Sequence, residues 1–563
     1  MNVYSNLARP AVPINDQIWY AVKNGDLEEF KSLTKYGSKN PTFTWDNKNR
    51  TPLYLAAEFG HLDIIKYIAP FVSDINLEDS EGWTPLYIAA YNGHLDIVKW
   101  YAGVLEDPNP ALISNDAFNG RTPMHVAAQE GNYDIFVFLS QLVNDANPSD
   151  QNGATPLHLA AINEHTKIVE FLVSLLGNES NPENSNGWTP LHDAAEKGNL
   201  KIVQVIASTI DNINPKDIEG WTPLRVAVYY GHLNIVKWYS ERLENPNPIW
   251  LTEGDFNGTT LLHQAAWEGH LTIVKYLAPL LNDSNPGDNK GWTPMDYAAY
   301  YGQFSVVEWY ANSLDNPNPK QVSGDQYNGQ TPLHLAADQG HLKIVKFLTG
   351  LLENINPSDD AGITPLHAAA SNGHTDVVQF LAEFLDDINP PDVNGTTPLH
   401  FAAEYGQIKV VKLYAGILEN PNPGQISNDE FNGSTPMHSA ASNGHLDIVK
   451  FFSSNLTDKN PSDDNGATPL HYAAIGGHLD IVKYLTSLLE DKNPKSGLYW
   501  NEDTPLHVAA DYGKLEVVKY FVQILPDKNP ENAKGKTPLD MAKAKGYQDI
   551  VNFIESLFNS EQE

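Results

Sequence analysis

Apolar and polar residues alternate with a helical period along most of the chain, and the pattern is clearest between residues 465 and 494. Leu470, Ala473 and Ala474 lie at positions i, i+3 and i+4, which predicts a short helix with one narrow apolar face. A broader apolar stripe over residues 481–489 predicts a second helix. Because neither helix could bury its apolar face alone, the pattern indicates helix pairs that pack against neighbouring pairs.

The boundaries of these two helices are also written in the sequence. Thr468 can cap the first helix with its hydroxyl, and Pro469 suits the first helical position, where no N–H is needed. Gly477 can adopt the left-handed conformation that ends a helix. The negative charge of Asp480 is favourable at the start of the second helix, because the N-terminal end of a helix is partially positive. The Asn-Pro pair that follows prevents a third helix. The segment is therefore predicted to be a helix–turn–helix unit followed by a loop.

The same unit recurs in phase along the chain, with steps of 33 to 38 residues between equivalent threonines. These threonines are Thr51, Thr84, Thr122, Thr155, Thr189, Thr222, Thr260, Thr293, Thr331, Thr364, Thr397, Thr435, Thr468, Thr504 and Thr537. Fifteen copies in register predict a repeat protein rather than a set of separate globular domains.

At these positions the chain resembles the ankyrin-repeat family, which has a T-P-L-H-x-A signature and a period of about 33 residues. The resemblance covers the chain from Asp16 to Phe558. It implies an all-α solenoid, an elongated curved superhelix of antiparallel helix pairs joined by β-hairpin or finger loops. It also implies that partners bind on the concave side, through the finger tips and the exposed face of each first helix.

The pattern changes at both ends of the chain. We expect a flexible N-terminal arm over residues 1–15 and an N-terminal capping half-repeat over 16–41, which lacks the TPLH start. Repeats 1–14 follow over 42–535. Residues 536–563 form a C-terminal capping repeat and tail, where lysines replace the usual residues. Because an open stack needs a polar cap at each end, we expect a complete solenoid.

Charge and composition narrow the choice of partners. The chain has 36 Lys and Arg against 70 Asp and Glu, for a net charge of −34. We therefore expect no nucleic-acid binding. A basic or neutral protein partner is compatible with this charge, although the acidity could serve only solubility. There is no apparent signal peptide or membrane span, so we expect a cytoplasmic monomer that does not bind membranes.

Candidate chemistry is scarce. The chain has no cysteine, which excludes disulfides and thiolate catalysis. Ten of its 19 histidines occupy the TPLH position and the other nine follow the first helix. In the ankyrin-repeat family these positions hold loops and neighbouring repeats together by hydrogen bonds, which the resemblance implies here. No histidine is left over for a general base or a metal, and no catalytic motif is present. We expect no enzyme activity, no cofactor and no metal.

Aromatic residues concentrate in the repeats that begin at Thr222, Thr260 and Thr293. Because interface hot spots are rich in Trp, Tyr and Arg, these repeats are the candidate binding site. The candidates are Trp221, Arg225, Tyr229, Tyr230, Trp267, Trp292, Asp296, Tyr297, Tyr300 and Tyr301. Two alternatives stay open. The tryptophan before Thr-Pro could pack along the loops, and Arg225 and Asp296 could replace local histidine hydrogen bonds.

Four loops are longer than the rest, and each has an aromatic residue two positions before its glycine. These residues are Phe118, Phe256, Tyr327 and Phe431. The repeat before each long loop carries a tyrosine in its second helix: Tyr101, Tyr239, Tyr310 or Tyr414. We predict that this tyrosine packs under the base of the long loop and finds a partner for its hydroxyl.

The sequence favours a non-catalytic protein-interaction scaffold. Two alternatives come from other classes of function. One is an effector acting on a host or extracellular protein, and the other is a mechanical spacer, since stacked repeats can deform like a spring.

Overall fold

The fold is built from helix pairs in regular succession. The computed structural model describes residues 13–34, 48–111, 120–245, 247, 258–321, 329–424 and 433–560. Across these ranges there are 32 α-helices, four 3-10 helices and no β-strand. The predicted all-α repeat architecture is therefore confirmed, and its loops are turns rather than paired strands where they are described. The aromatic residues of the four long loops, Phe118, Phe256, Tyr327 and Phe431, lie outside these ranges.

The chain divides into two units, residues 1–250 and 251–563. The first unit contains 14 α-helices and short 3-10 turns at Ala69–Phe71 and Gly177–Glu179. Its helices are α1 (Ile14–Asn24), α2 (Leu27–Thr34), α3 (Pro52–Phe59), α4 (Leu62–Ile68), α5 (Pro85–Tyr91), α6 (Leu95–Val104), α7 (Pro123–Glu130), α8 (Tyr133–Ser140), α9 (Pro156–Ile162), α10 (Thr166–Leu176), α11 (Pro190–Lys197), α12 (Leu200–Ala207), α13 (Pro223–Tyr229) and α14 (Leu233–Ser240).

The second unit has the same alternation, with 3-10 turns at Ala278–Leu280 and Leu498–Trp500. Its helices are α15 (Leu261–Trp267), α16 (Leu271–Leu277), α17 (Pro294–Tyr300), α18 (Phe304–Ser313), α19 (Pro332–Asp338), α20 (Leu342–Thr349), α21 (Pro365–Ser371), α22 (Thr375–Ala382), α23 (Pro398–Glu404), α24 (Ile408–Ile417), α25 (Pro436–Ser442), α26 (Leu446–Asn455), α27 (Pro469–Gly476), α28 (Leu479–Leu488), α29 (Pro505–Asp511), α30 (Leu515–Ile524), α31 (Pro538–Lys545) and α32 (Gln548–Ser560).

First helices of successive repeats pack side by side, as α19, α21, α23 and α25 do in the second unit. Their paired alanines are fully buried, for example Ala336 and Ala337 in α19. Small side chains allow the helices to approach closely, and the Ile and Val residues of the second helices fill the space behind them. This packing holds the last residues of each first helix in register with those of its neighbours.

The histidine of the TPLH sequence connects each repeat to the next loop. His471 Nδ1 accepts a hydrogen bond from the Thr468 backbone N–H at 3.1 Å, so its proton must lie on Nε2. Nε2 then donates to the carbonyl of Asp503 in the following loop, at 3.1 Å. Burial lowers the pKa of His471 to about 4, which keeps the ring neutral and able to accept at Nδ1. The predicted loop-holding role is confirmed for this set of histidines.

The second set of histidines connects each repeat to the one before it. His374 Nε2 lies 2.8 Å from the carbonyl of Asp338, and His478 Nε2 lies 2.9 Å from that of Ser442. Gln407 has the same position in its repeat, and its amide donates to the carbonyl of Ser371 at 2.9 Å. A glutamine amide can therefore replace the histidine ring here, because the bond needs only an N–H donor on a side chain of similar length.

In many repeats of the described ranges, the asparagine of an Asn-Pro pair has a second role that the sequence analysis missed. Asn460 Oδ1 accepts from the backbone N–H of Leu470 in the next helix, at 3.0 Å. Asn109 makes the same bond to Met124 at 3.0 Å, although the loop between them is five residues longer. The same hydrogen bond is therefore made with either loop length, so a loop can be longer without changing where the chain leaves one repeat and enters the next.

The tyrosines that precede the long loops are fully buried. The hydroxyl groups of Tyr101, Tyr239 and Tyr310 each donate to a backbone carbonyl, whereas that of Tyr414 has no hydrogen-bond partner among the described residues. Tyr101 donates to the carbonyl of Ile75 at 3.0 Å, and Tyr239 donates to that of Ile213 at 2.9 Å. Both carbonyls belong to the loop before the tyrosine's own repeat. The predicted hydroxyl partner is therefore confirmed for these two tyrosines, whereas their packing under the base of the long loop stays a prediction. A helical side chain points back toward the N-terminus, which directs the ring to the upstream loop.

Candidate protein-binding surface

The candidate aromatic residues lie on the first helices and directly beside their two ends. In the second unit five rings form one connected group, which we call the Trp292 cluster: Trp267, Trp292, Tyr297, Tyr300 and Tyr301. Trp267 stacks on Tyr301 with ring centroids 4.7 Å apart and planes inclined by 13°. Trp292 meets Tyr300 edge to face at 5.5 Å. The arrangement is rigid because each ring is held by another ring.

Tyr297 is the buried member of this cluster. It is 2 % exposed, and its hydroxyl donates to Asp288 Oδ2 at 2.8 Å. Asp288 Oδ1 in turn accepts from the backbone N–H of Trp292 at 2.9 Å. Burial raises the pKa of the Tyr297 hydroxyl, so it remains protonated and donates. Tyr297 therefore belongs to the core and positions Trp292, whereas Tyr301 is 37 % exposed.

Asp296 takes the place that histidine has in other repeats. It is 1 % exposed, and its Oδ2 accepts from the Thr293 backbone N–H at 2.9 Å and from the Thr293 hydroxyl at 2.8 Å. Burial raises the pKa of this carboxyl to about 7. These contacts match the alternative in which the residue replaces local histidine hydrogen bonds.

A cavity of about 410 Å³ opens beside the Trp292 cluster. Aromatic rings form one part of its wall and the neighbouring repeats supply polar groups. It is lined by Asp288, Lys290, Trp292, Tyr297, Tyr300, Tyr301, Gln330, His334, Leu335, Asp338 and Ala368. Burial lowers the pKa of His334 to about 4, so its ring carries no charge at neutral pH.

The first unit holds a second group, the Trp221 cluster, made of Trp221, Arg225, Tyr229 and Tyr230. The Arg225 guanidinium carbon lies 3.6 Å from the centroid of the Trp221 ring, a cation–π contact. Tyr229 meets Trp221 edge to face at 5.5 Å and Tyr230 at 5.0 Å. These tyrosines are 40 % and 47 % exposed, whereas Arg225 is 6 % exposed.

Arg225 stays charged despite its burial. Burial lowers its pKa to about 10, and the carboxylates of Asp217 and Glu219 act in the opposite direction. Both carboxylates also line a groove of about 480 Å³ together with Trp221, Tyr229 and Tyr230. The groove therefore combines exposed aromatic rings with acidic side chains.

Nine of the ten candidate residues thus fall into two clusters, one in each unit, and Asp296 caps the helix beside the Trp292 cluster. Three of them, Arg225, Asp296 and Tyr297, are buried and support the others. The described residues also contain aromatic positions that the sequence analysis did not select. Tyr405 and Tyr512 end first helices and are 57 % and 52 % exposed.

One missed feature did have a sequence signal. Tyr472 donates to Asp463 Oδ2 at 3.0 Å, the same pairing that Tyr297 makes with Asp288. In both repeats a loop aspartate precedes a tyrosine by nine residues. That spacing would have identified Tyr297 as a core residue.

Among the residues that the structure describes, no three His, Cys, Asp or Glu side chains are grouped so that they could hold a metal ion. Within the same ranges, no helix combines the length and apolarity needed to cross a bilayer.

The repeated helix pairs, the threonine caps and the histidine connections define a helical-repeat solenoid. A family model described as ankyrin repeats in three copies matches residues 18–109, 104–179, 173–248, 242–321, 350–422, 414–496 and 486–559, and a single ankyrin-repeat model matches 328–360. The chain belongs to the ankyrin-repeat family. A comparison with curated proteins finds no individual match. Ankyrin repeats generally mediate protein–protein interactions, and proteins built from them are typically non-catalytic.

Proposed function

We propose that this protein is a non-catalytic scaffold that binds a protein partner on the Trp221 and Trp292 clusters. The observation that supports this best is the exposure of Tyr229, Tyr230 and Tyr301 beside rings that are held in place by packing. Rigid, partly exposed aromatic side chains bury a large area at a small cost in entropy, and they are enriched where binding energy concentrates.

The surroundings of both clusters favour an interface over a small-molecule site. Each groove is open to solvent and is lined by residues from neighbouring loops and first helices. The rings also continue onto exposed surface beyond the grooves, as Tyr230 does at 47 % exposure. A partner that follows the first helices could contact several repeats at once, and the net charge of −34 favours one that is neutral or basic.

The test begins with affinity enrichment on the full chain, followed by mass spectrometry to identify the partner. Its affinity is then measured for the wild type and for a variant with Trp267→Ala and Tyr300→Ala. We expect at least a ~tenfold loss, about 1.4 kcal/mol, because truncated anchors no longer bury their rings.

The control variant carries Tyr405→Ala and Tyr512→Ala, which truncate two exposed rings in repeats outside both clusters. We expect its affinity to stay within about twofold of the wild type. Equal losses in the two variants would show that the aromatic clusters are not the binding site. A large fall in melting temperature with unchanged affinity would show that Trp267 and Tyr300 serve only the core.

A further inference from the structure

The cavity beside the Trp292 cluster combines aromatic rings with two carboxylates. Trp292, Tyr300 and Tyr301 line it together with Asp288 and Asp338. Tyr301 is 37 % exposed, and Tyr300 and Trp292 are half-buried, so the rings are accessible from the cavity. The negative faces of aromatic rings attract cations, and a carboxylate at the same site adds a charge-assisted hydrogen bond.

Asp338 occupies the same position in its repeat that Tyr300 has in the preceding one. The two residues end α19 and α17, which pack against each other. Asp338 Oδ2 accepts from the Gln339 amide at 2.8 Å, and Oδ1 accepts from the Asn372 amide at 2.8 Å. Both of these partners are neutral amides, which do not balance the charge of the carboxylate.

The burial of Asp338 disfavours the charged form of its carboxyl group. Burial raises the pKa of Asp338, while the Gln339 hydrogen bond and nearby His374 oppose the shift. A cation that entered the cavity would stabilise the charged carboxylate. A neutral or acidic group would not.

The Trp221 cluster in the first unit shows which cation can lie on a tryptophan at this repeat position. Trp221 has the position in its repeat that Trp292 has in its own, directly before Thr-Pro. The guanidinium of Arg225 lies 3.6 Å from the centre of the Trp221 ring. A planar guanidinium can stack on a ring and bond a carboxylate through two N–H groups, which an ammonium cannot do.

We propose that the cavity lined by Trp292, Tyr300, Tyr301 and Asp338 binds an arginine side chain presented by the protein partner. The inference rests on the proposed scaffold function and specifies the chemistry of its partner. The cavity volume of about 410 Å³ leaves room for a side chain and part of the segment that carries it. Lys290 also lines the cavity, and its charge opposes an incoming cation.

The test uses the immobilised full chain and mixed seven-residue peptides whose central residue is fixed as arginine, citrulline, lysine or leucine. Citrulline has nearly the shape of arginine and no charge. We expect the arginine pool to be retained about fivefold more than the citrulline pool, with lysine between them. We also expect this preference to weaken at high salt, because charge interactions are screened.

Three variants locate the preference. Asp338→Asn keeps the size of the side chain and should reduce arginine retention to the citrulline level. Tyr300→Ala should reduce it at least about threefold. Lys290→Gln should increase it about twofold, because a like charge is removed, and a misfolded variant would not produce a gain. The matched control is Tyr512→Ala, at an exposed ring in a distant repeat, which should have no effect.

Equal retention of the arginine and citrulline pools by the wild type, including no retention of either, would overturn the inference. So would an arginine preference that survives Asp338→Asn. The scaffold function fails on a different result, which is the absence of any partner that depends on the aromatic clusters. A partner that requires Tyr300 and contains no arginine at the contact would leave the scaffold function standing and remove the arginine site.

Discussion

The repeats that begin at Thr222 and Thr293 both lack the histidine found three residues after the threonine in ten other repeats, and they replace it in different ways. Asp296 takes over the two hydrogen bonds to Thr293, at 2.9 and 2.8 Å. Arg225 extends away and lies over the ring of Trp221. Its backbone N–H still donates to the Thr222 hydroxyl at 3.2 Å.

The same repeat position can therefore stabilise the helix cap or contribute to an aromatic cluster. A short acceptor keeps the helix cap, as Asp296 does. A long cation leaves the cap to threonine alone and contributes to an aromatic cluster instead. The two clusters therefore differ in charge. The Trp221 cluster contains the cation of Arg225, whereas the equivalent repeat position beside the Trp292 cluster is occupied by the acidic Asp296.

Acid should weaken the histidine-capped repeats more than the repeat capped by the buried Asp296, and this is the largest effect that we expect. The buried TPLH histidines, such as His334 and His471, have folded pKa values of about 4 against an ordinary value of 6.5. Their contribution to folding stability is fully present above about pH 6.5 and is lost as the pH falls toward 4. Each histidine can lose up to ~1.4 kcal/mol per pH unit over that range.

Asp296 has the opposite linkage. Its folded pKa is raised to about 7 from an ordinary 3.8, so between these values the folded state binds a proton more readily than the unfolded state. Acidification therefore does not weaken its cap. Hydrogen exchange at pH 7 and pH 5 should show faster opening at the histidine caps, and Asp296→His should make the Thr293 cap acid-sensitive. An equal response to acid of Asp296→His and the wild type would contradict this account.

Truncation of Tyr297 should have the next largest effect. Tyr297→Ala removes a buried ring and leaves Asp288 without its hydroxyl donor, so we expect a loss of about 3–5 kcal/mol in the free energy of unfolding. Tyr301→Ala, at a 37 % exposed ring in the same cluster, should cost less than about 1 kcal/mol. Urea unfolding of both variants measures the contrast, and similar losses would show that the cluster is not divided into core and surface residues.

Removal of the aspartate cap should have a moderate effect. Asp296→Ala leaves the Thr293 N–H without its side-chain acceptor, which should cost about 1–2 kcal/mol. Asp296→Asn keeps an acceptor without the charge, and we expect it to cost less at pH 8 than at pH 5. A melting temperature that is unchanged in Asp296→Ala would show that this carboxyl does not act as a cap.

Replacement of the cation in the Trp221 cluster should have the smallest effect. Arg225→Lys keeps the charge and loses the planar group that stacks on the ring, so we expect a loss of no more than about 1 kcal/mol. The Trp221 emission should change with it, and a variant of Trp221→Phe provides the matched blank for that signal. No change in stability or emission would show that the contact at 3.6 Å contributes nothing measurable.

Most of the fold could be predicted because it depends on local signals repeated many times. The threonine caps, the prolines after them and the glycine that ends α27 all act within a few residues, so the sequence contains them completely. The hydroxyl partner of Tyr101 could not be placed in the same way. Its upstream acceptor is 26 residues away and follows from the direction of a helical side chain in the folded repeat.

The candidate site was harder to predict for a related reason. The sequence places aromatic residues at equivalent repeat positions, but it does not distinguish the buried Tyr297 from the exposed Tyr301 without the contact to Asp288. Nor does it show that the side chains of Arg225 and Asp296 point to different partners. Those outcomes depend on neighbouring loops, and they decide which residues can meet a partner.

Hydrogen exchange of the full chain with and without its enriched partner tests the central claim most directly. The account predicts protection in peptides that contain the ends of α13, α15 and α17, with much less change around Tyr405 and Tyr512. Protection spread evenly along the repeats, or confined to second helices, would contradict binding at either the Trp221 cluster or the Trp292 cluster.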